Sequence, residues 1–272
     1  MGLAFASCTP LMGAPEPADG PRAIPTKAGA IYMDDGGDGG IPVILLHSFG
    51  GDSSHWASTL DHLRHHRRAL AIDMRGHGKS ARPRDMDYSI GAFVGDLEMV
   101  VKELKLQRFV LVGHSLGASV AIAYAARHPR QVAGLVLVGA TGRMPPERAQ
   151  KVMASLDTNY NQTMTQFMDR LLADAQPHVR TEVLNQMAKM PREDAIAIMA
   201  ALSKNDPLPA FDRYKGPKLI MFVAHPDAGN GLQLLRKDVK QVSFEGTSHW
   251  PHMDKPKEFN EALEEFLQEI RE

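Results

Sequence analysis

From Ala28 onward, short apolar runs alternate with longer stretches of helical period. Ala30-Ile31-Tyr32-Met33 reads as a strand, closed by a glycine-rich loop from Asp34 to Gly40. Val43-Ile44-Leu45-Leu46, Ala69-Leu70-Ala71-Ile72, Phe109-Val110-Leu111-Val112 and Leu135-Val136-Leu137-Val138 are continuous apolar runs, as strands buried on both faces require. Leu219 to Val223 and Val239 to Phe244 complete the series. Between them, Trp56, Leu60 and Leu63 fall at helical spacing. Ser89 caps a run in which Ile90, Phe93, Val94, Leu97, Val100, Val101 and Leu104 keep a 3.6 period. Ala118 to Arg127 is helical, and Phe259, Leu263, Phe266, Leu267 and Ile270 mark a closing amphipathic helix. Strands alternating with helices predict an α/β fold, a mostly parallel sheet flanked by helices on both faces.

The alternation fails in two places. Residues 1–28 carry Pro10, Pro15, Pro17, Pro21 and Pro25 without either period, and predict an extended, disordered arm or the remnant of an export signal. Residues 142–212 hold only helical runs, from Glu147 to Leu156, Thr163 to Ala173, Val179 to Met190 and Arg192 to Ser203. An all-helical insert after the Leu135–Val138 strand reads as a cap, which divides the core into residues 29–141 and 213–272. Seven of the 15 methionines lie in that insert. Their adaptable side chains suit cap packing, and lining of a substrate pocket by several of them is the alternative reading.

Composition narrows the class. The 272 residues carry 31 Lys+Arg against 32 Asp+Glu, a formal net charge of -1, with no broad electrostatic footprint for nucleic acid or an anionic membrane. Mean hydropathy is -0.25, and no stretch approaches the ~20 apolar residues of a membrane span. One cysteine, Cys8, excludes an internal disulfide and any multi-cysteine metal site. The opening MGLAFASC matches the tail of a lipoprotein export signal with Cys8 as the acylated residue, although its apolar run is short and no basic segment precedes it. Compartment and oligomeric state stay open.

The chemistry centres on Gly113-His114-Ser115-Leu116-Gly117, a G-x-S-x-G string placed directly after a buried strand and before a helix. A sharp strand-to-helix turn lifts the serine oxygen above the sheet, and glycines flank it because side chains there would collide with strand and helix. A serine hydroxyl needs a positioned base, itself oriented by a third group. His249 follows the final strand at the same sheet edge, and Asp227 follows the strand before it. The chain order Ser115, Asp227, His249 fits a known triad arrangement. His252 is the local rival base, and Asp206 and Asp212 are the rival acids, but both precede their strand.

These residues, together with three further motifs, resemble the α/β-hydrolase superfamily, within it the capped serine esterases. His47-Ser48-Phe49-Gly50-Gly51 resembles the HGFGG oxyanion loop, Asp73 to Ser80 the DxRGxGxS segment, and Gly246 to Pro256 the GxxHxPxxxxP loop. The resemblance implies an oxyanion hole from the Phe49 and Leu116 amides. It implies a substrate pocket touched by Ser48, His114 and Trp250, with no metal or organic cofactor. Ser48 stands where glycine is usual, and could narrow the site, tilt the Phe49 amide or add a donor. His225 replaces a smaller residue and reads as a surface position. Dehalogenase and epoxide-hydrolase relatives carry an aspartate where Ser115 stands. Carbon–carbon hydrolases read GNSxGG where this chain has His114 and Ala118.

The expected activity is hydrolysis of carboxylic esters with small-to-medium hydrophobic acyl groups, through an acyl-enzyme on Ser115. Carbon–carbon hydrolysis, cofactor-free perhydrolysis and a non-catalytic binding role on the same fold are the alternatives.

Overall fold

The computed structural model describes residues 20–223 and 230–271. Its chain order begins β1 (Gly20–Thr26), β2 (Gly29–Gly36), β3 (Val43–Leu46), a 3-10 turn (Ser53–Trp56), α1 (Ala57–Arg64) and β4 (Ala69–Ile72). There follow α2 (Ile90–Glu103), β5 (Phe109–His114), α3 (Leu116–Arg127) and β6 (Val132–Val138). Five helices come next: α4 (Pro146–Thr158), α5 (Tyr160–Leu171), α6 (Pro177–Met187), α7 (Arg192–Lys204) and α8 (Leu208–Arg213). The chain then returns through β7 (Lys218–Val223), α9 (Leu232–Leu235), β8 (Lys240–Phe244), α10 (Pro251–Asp254) and α11 (Pro256–Glu269).

The eight strands form one sheet in the order β1-β2-β4-β3-β5-β6-β7-β8. Pairing is antiparallel between β1 and β2 and between β2 and β4, and parallel from β4 through to β8. Strand alternation splits the apolar runs between two layers. Val43, Leu45, Val110 and Val112 face α1 and α11, packing with Trp56, Leu60, Phe259 and Leu263. Ile44, Leu46, Phe109 and Leu111 face α2 and α3, packing with Phe93, Leu97, Val120 and Tyr124. Chain order reverses at β3, which lies between β4 and β5. The carboxyl ends of β3 and β5 therefore open a crevice at a topological switch point, where α/β sheets place their ligands.

Residues 20–26 correct the reading of an unstructured arm: they form β1, hydrogen-bonded to β2 from Gly20↔Asp35 to Thr26↔Gly29. Pro21 and Pro25 hide the strand from pattern reading, but an edge strand tolerates proline where its nitrogen faces away from the ladder. Ile24 alone buries its side chain fully, while Arg22 and Arg68 both reach the buried Asp35 carboxylate. The glycine-rich loop is also shorter than expected, since Asp34, Asp35 and Gly36 continue β2.

The helices between β6 and β7 divide between two packing clusters. Leu156 and Met199 join the main core, with Val152, Met153 and Met190 packed against it. Met168, Leu172, Val179 and Val183, from α5, α6 and the turn between them, form a separate cluster with Trp250. No helix among the described residues is long and apolar enough to cross a membrane.

Candidate active site

Ser115 ends β5 and begins α3 at φ 53, ψ -106, a left-handed backbone that L residues avoid at a cost of about 1–3 kcal/mol. The surroundings over-determine it. The Ser115 N–H donates to the Val138 carbonyl at 2.9 Å, and the Gly117 N–H to the His47 carbonyl at 3.2 Å. A Cβ on Gly117 would lie 2.4 Å from the Leu46 oxygen, and one on Gly113 would lie 2.3 Å from the Gly117 oxygen. Both flanking glycines are thus forced by close approach of backbone to backbone, as the motif predicted.

His249 reaches the same place from the far side. Its ring stands over Gly139, the first residue after β6, where an added Cβ would meet the His249 Cε1 at 2.5 Å. The Ser115 amide and the His249 imidazole therefore meet at consecutive residues, Val138 and Gly139. The His249 N–H donates to the Leu171 carbonyl at 2.9 Å, at the end of α5. Asp227 and His225, like Cys8, lie outside the described residues.

Two amides are left for an anion. Neither the Phe49 nor the Leu116 N–H donates to an acceptor among the described residues. Leu116 is the first residue of α3, so its N–H is one of the helix's orphan donors at the positive end of the dipole. The Gly117 to His47 bond ties this helix start to the loop carrying Phe49. That loop is fixed by His47, whose Nε2 accepts the Met74 N–H at 2.9 Å while its Nδ1 donates to the Ser48 carbonyl at 2.7 Å. Burial holds this imidazole neutral, pushing it down to about 4. The Asp73 to Ser80 segment serves as a buttress: Asp73 accepts the Ser53 and Lys79 N–H groups, each at 2.7 Å. Within the segment, Arg75 is paired with the buried Asp96 at 2.6 Å. Gly50, at φ 74, turns the loop under Met187 of α6, whose Sδ would lie 2.3 Å from a Cβ there.

The three expected pocket residues lie elsewhere. Ser48, His114 and Trp250 are 2%, 0% and 1% exposed, so none lines open space. His114 is still a strand residue, and its ring packs behind the site, 4.8 Å from His249 and 4.9 Å from His252. Trp250 fills the small cluster under α5 and α6. The Ser48 hydroxyl has no hydrogen-bond partner among the described residues. His252, the rival base, is buried and stacked on Trp56 at 4.2 Å, away from open space.

Sequence reading passed over Asp254 and His55. Asp254 sits inside the GTSHWPHMDKP motif and takes both the N–H and the Oγ–H of Ser248, at 2.7 and 2.5 Å. His55 is buried beside Trp250, with ring centroids 6.4 Å apart. Among the described residues no group of three or more His, Cys, Asp or Glu is arranged to hold a metal ion.

Known proteins place the fold in a family. Over 106 residues the chain is 39% identical to the 2-hydroxy-6-oxo-2,4-heptadienoate hydrolase of Pseudomonas putida, covering 38% of each chain. Over 194 residues it is 28% identical to the dihydrolipoyllysine-residue acetyltransferase component of the acetoin cleaving system of Pseudomonas putida, covering 68% of this chain and 50% of that one. The chain thus matches half or less of the length of these curated relatives. A thermophilic esterase from Thermogutta terrifontis superposes with a TM-score of 0.79 at 23% identity, over 93% of this chain and 99% of that one. The enol-lactonase from Burkholderia xenovorans LB400 gives 0.79 at 24% identity, over 91% and 100%. These structures share the fold. A sequence profile of the alpha/beta hydrolase fold matches residues 41–195, more than half the chain, and the protein belongs to that family.

Proposed function

We propose that the protein is a serine hydrolase that cleaves carboxylic esters of small-to-medium hydrophobic acids. One observation carries the reading: a strained Ser115 at φ 53 meets the His249 ring across Val138 and Gly139, beside two amides with nothing to bind. In this reading His249 accepts the Ser115 proton as the oxygen attacks the acyl carbon. The Phe49 and Leu116 N–H groups hold the oxyanion, each worth about 3–4 kcal/mol in the transition state. His249 then protonates the departing alcohol, and water repeats the attack to free the acid. Asp227 is proposed as the group that orients His249. A protonated imidazole cannot accept the serine proton, so kcat/KM falls on acidification. Phe49, Phe167, Met164 and Met187 belong to the apolar core beside the site, which supports the choice of a hydrophobic acyl chain.

The test is hydrolysis of p-nitrophenyl esters from acetate to dodecanoate by the native chain and by Ser115→Ala. Turnover that peaks at one chain length and disappears in the variant is expected. Turnover retained by Ser115→Ala overturns the assignment. A second reading is favoured by the heptadienoate hydrolase relative, whose named substrate carries a keto group and no ester. Under that reading neither protein cleaves the esters, and a vinylogous diketone acid becomes the substrate to try.

A further inference from the structure

Three successive main-chain donors of the loop that carries His249 are committed. The Ser248 N–H goes to Asp254 Oδ2 at 2.7 Å, the His249 N–H to the Leu171 carbonyl at 2.9 Å, and the Trp250 N–H to the Ser248 Oγ at 3.2 Å. The Ser248 hydroxyl in turn donates to Asp254 Oδ2 at 2.5 Å. The second oxygen, Asp254 Oδ1, accepts the Gln176 N–H at 2.8 Å, from the residue that opens α6. One buried carboxylate therefore joins the His249 loop to the turn between α5 and α6, residues 78 positions apart in sequence.

The same helix pair holds the other half of the site. At the far end of α6, Gln186 Nε2 donates to Asp52 Oδ1 at 3.2 Å and to Ser54 Oγ at 2.7 Å, and Ser54 donates to Glu182 at 3.1 Å. Met187 closes over Gly50. The α5–α6 pair is thus a brace, with the loop of the Phe49 amide at one end and the loop of His249 at the other. The second attachment runs through Asp254 and Leu171, beside the Thr247 hydroxyl's bond to the Phe244 carbonyl at the end of β8.

We propose that Asp254 is a positioning residue for the reaction: by bonding Ser248 and Gln176 at once, it makes the helical brace set where the His249 ring stands over Gly139. The proposal rests on the reading of Ser115 and His249 above. Asp254 touches neither of them through its carboxylate and does not enter the chemistry. Its effect is on the geometry of proton transfer, where a displacement of about 1 Å costs on the order of 10²-fold.

Two substitutions test it without altering any reacting group. Asp254→Asn keeps the size of the side chain but leaves one acceptor oxygen for two directions of donor. Gln176→Pro deletes only the N–H that reaches Oδ1, at φ -58, which a proline ring accepts. Active sites are titrated with a fluorophosphonate, and kcat and KM are measured per titrated site on the preferred p-nitrophenyl ester. Asp254→Asn is expected to lose about 10–50-fold in kcat per site and Gln176→Pro about 3–10-fold, with KM within threefold of native. A residue needed only for folding lowers the titre and the melting temperature but leaves kcat per site unchanged, and that result overturns the proposal. Native protein that takes up no fluorophosphonate at Ser115 removes the underlying reading as well, so the two failures are told apart.

Discussion

At the scale of single residues, strain and space at the elbow are separable. Ser115 holds φ 53 with a Cβ, whereas glycine occupies this region freely. Ser115→Gly is therefore expected to be more stable than Ser115→Ala by about 1 kcal/mol, measured by urea unfolding, with both inactive. Equal stability of the two would mean that the surrounding contacts, and not the backbone, bear the strain. The residues that make the elbow were legible because each obeys a local rule: glycine where backbones touch, serine between them, histidine after the last strand. The partners of His249 were not. Leu171 and Gln176 act through main-chain groups that any side chain supplies, and no residue pattern marks a carbonyl as an anchor. Trp250 and His114 misled for a related reason. Adjacency to Ser115 or His249 in sequence places the next side chain on the opposite side of a strand or loop, and here both are buried in packing.

At the scale of elements, the hydrophobic period located β3 and β4 to the residue, because strands buried on both faces leave no polar position to blur the ends. It missed α8, α9 and α10, which are one or two turns long and too short to show a period. The inserted helices were visible as helices, but not the way they divide. While α5 and α6 brace the two active-site loops, α7 is fastened to the core by Arg82, which bonds Glu193 at 2.7 Å and the buried Asp194 at 2.7 Å. Arg82→Ala leaves Asp194 as a buried carboxylate without its cation. A lower melting temperature is expected, by less than for a fully buried pair because Arg82 is half exposed. Hydrogen exchange should rise first in α7. A uniform rise across the sheet would show instead that α7 does not open on its own.

For the whole molecule, the unusual quantity is the number of histidines kept neutral by burial. His47 and His55 are pushed down to about 4 and His77 to about 3, and His114 and His252 fall well below the ordinary imidazole value, burial being the first cause in each. An unfolded histidine titrates near 6.5, so below that pH the unfolded chain binds protons that the folded chain refuses. The stability these groups contribute is complete above about pH 6.5 and is lost as the pH falls toward 4. Each group costs up to about 1.4 kcal/mol per pH unit within that window, so the five together remove about 7 kcal/mol for each unit, against a typical total of 5–15 kcal/mol. Circular dichroism should record cooperative acid unfolding with a midpoint near pH 5, and native signal persisting at pH 4 would contradict the burial of these rings. This unfolding lies beneath the acid limb of activity, so rates must be read on protein shown to be folded. The sheet's first strand carries a different consequence. In β1, Arg22, Ile24 and Thr26 face their partners in β2, which turns the nitrogens of Pro21, Ala23 and Pro25 outward. Two of those three outward positions have no hydrogen to give, so a strand from another molecule finds a single outward donor, the Ala23 N–H. The prolines that concealed β1 in the sequence are what keep this border from recruiting a neighbour and growing into a fibril.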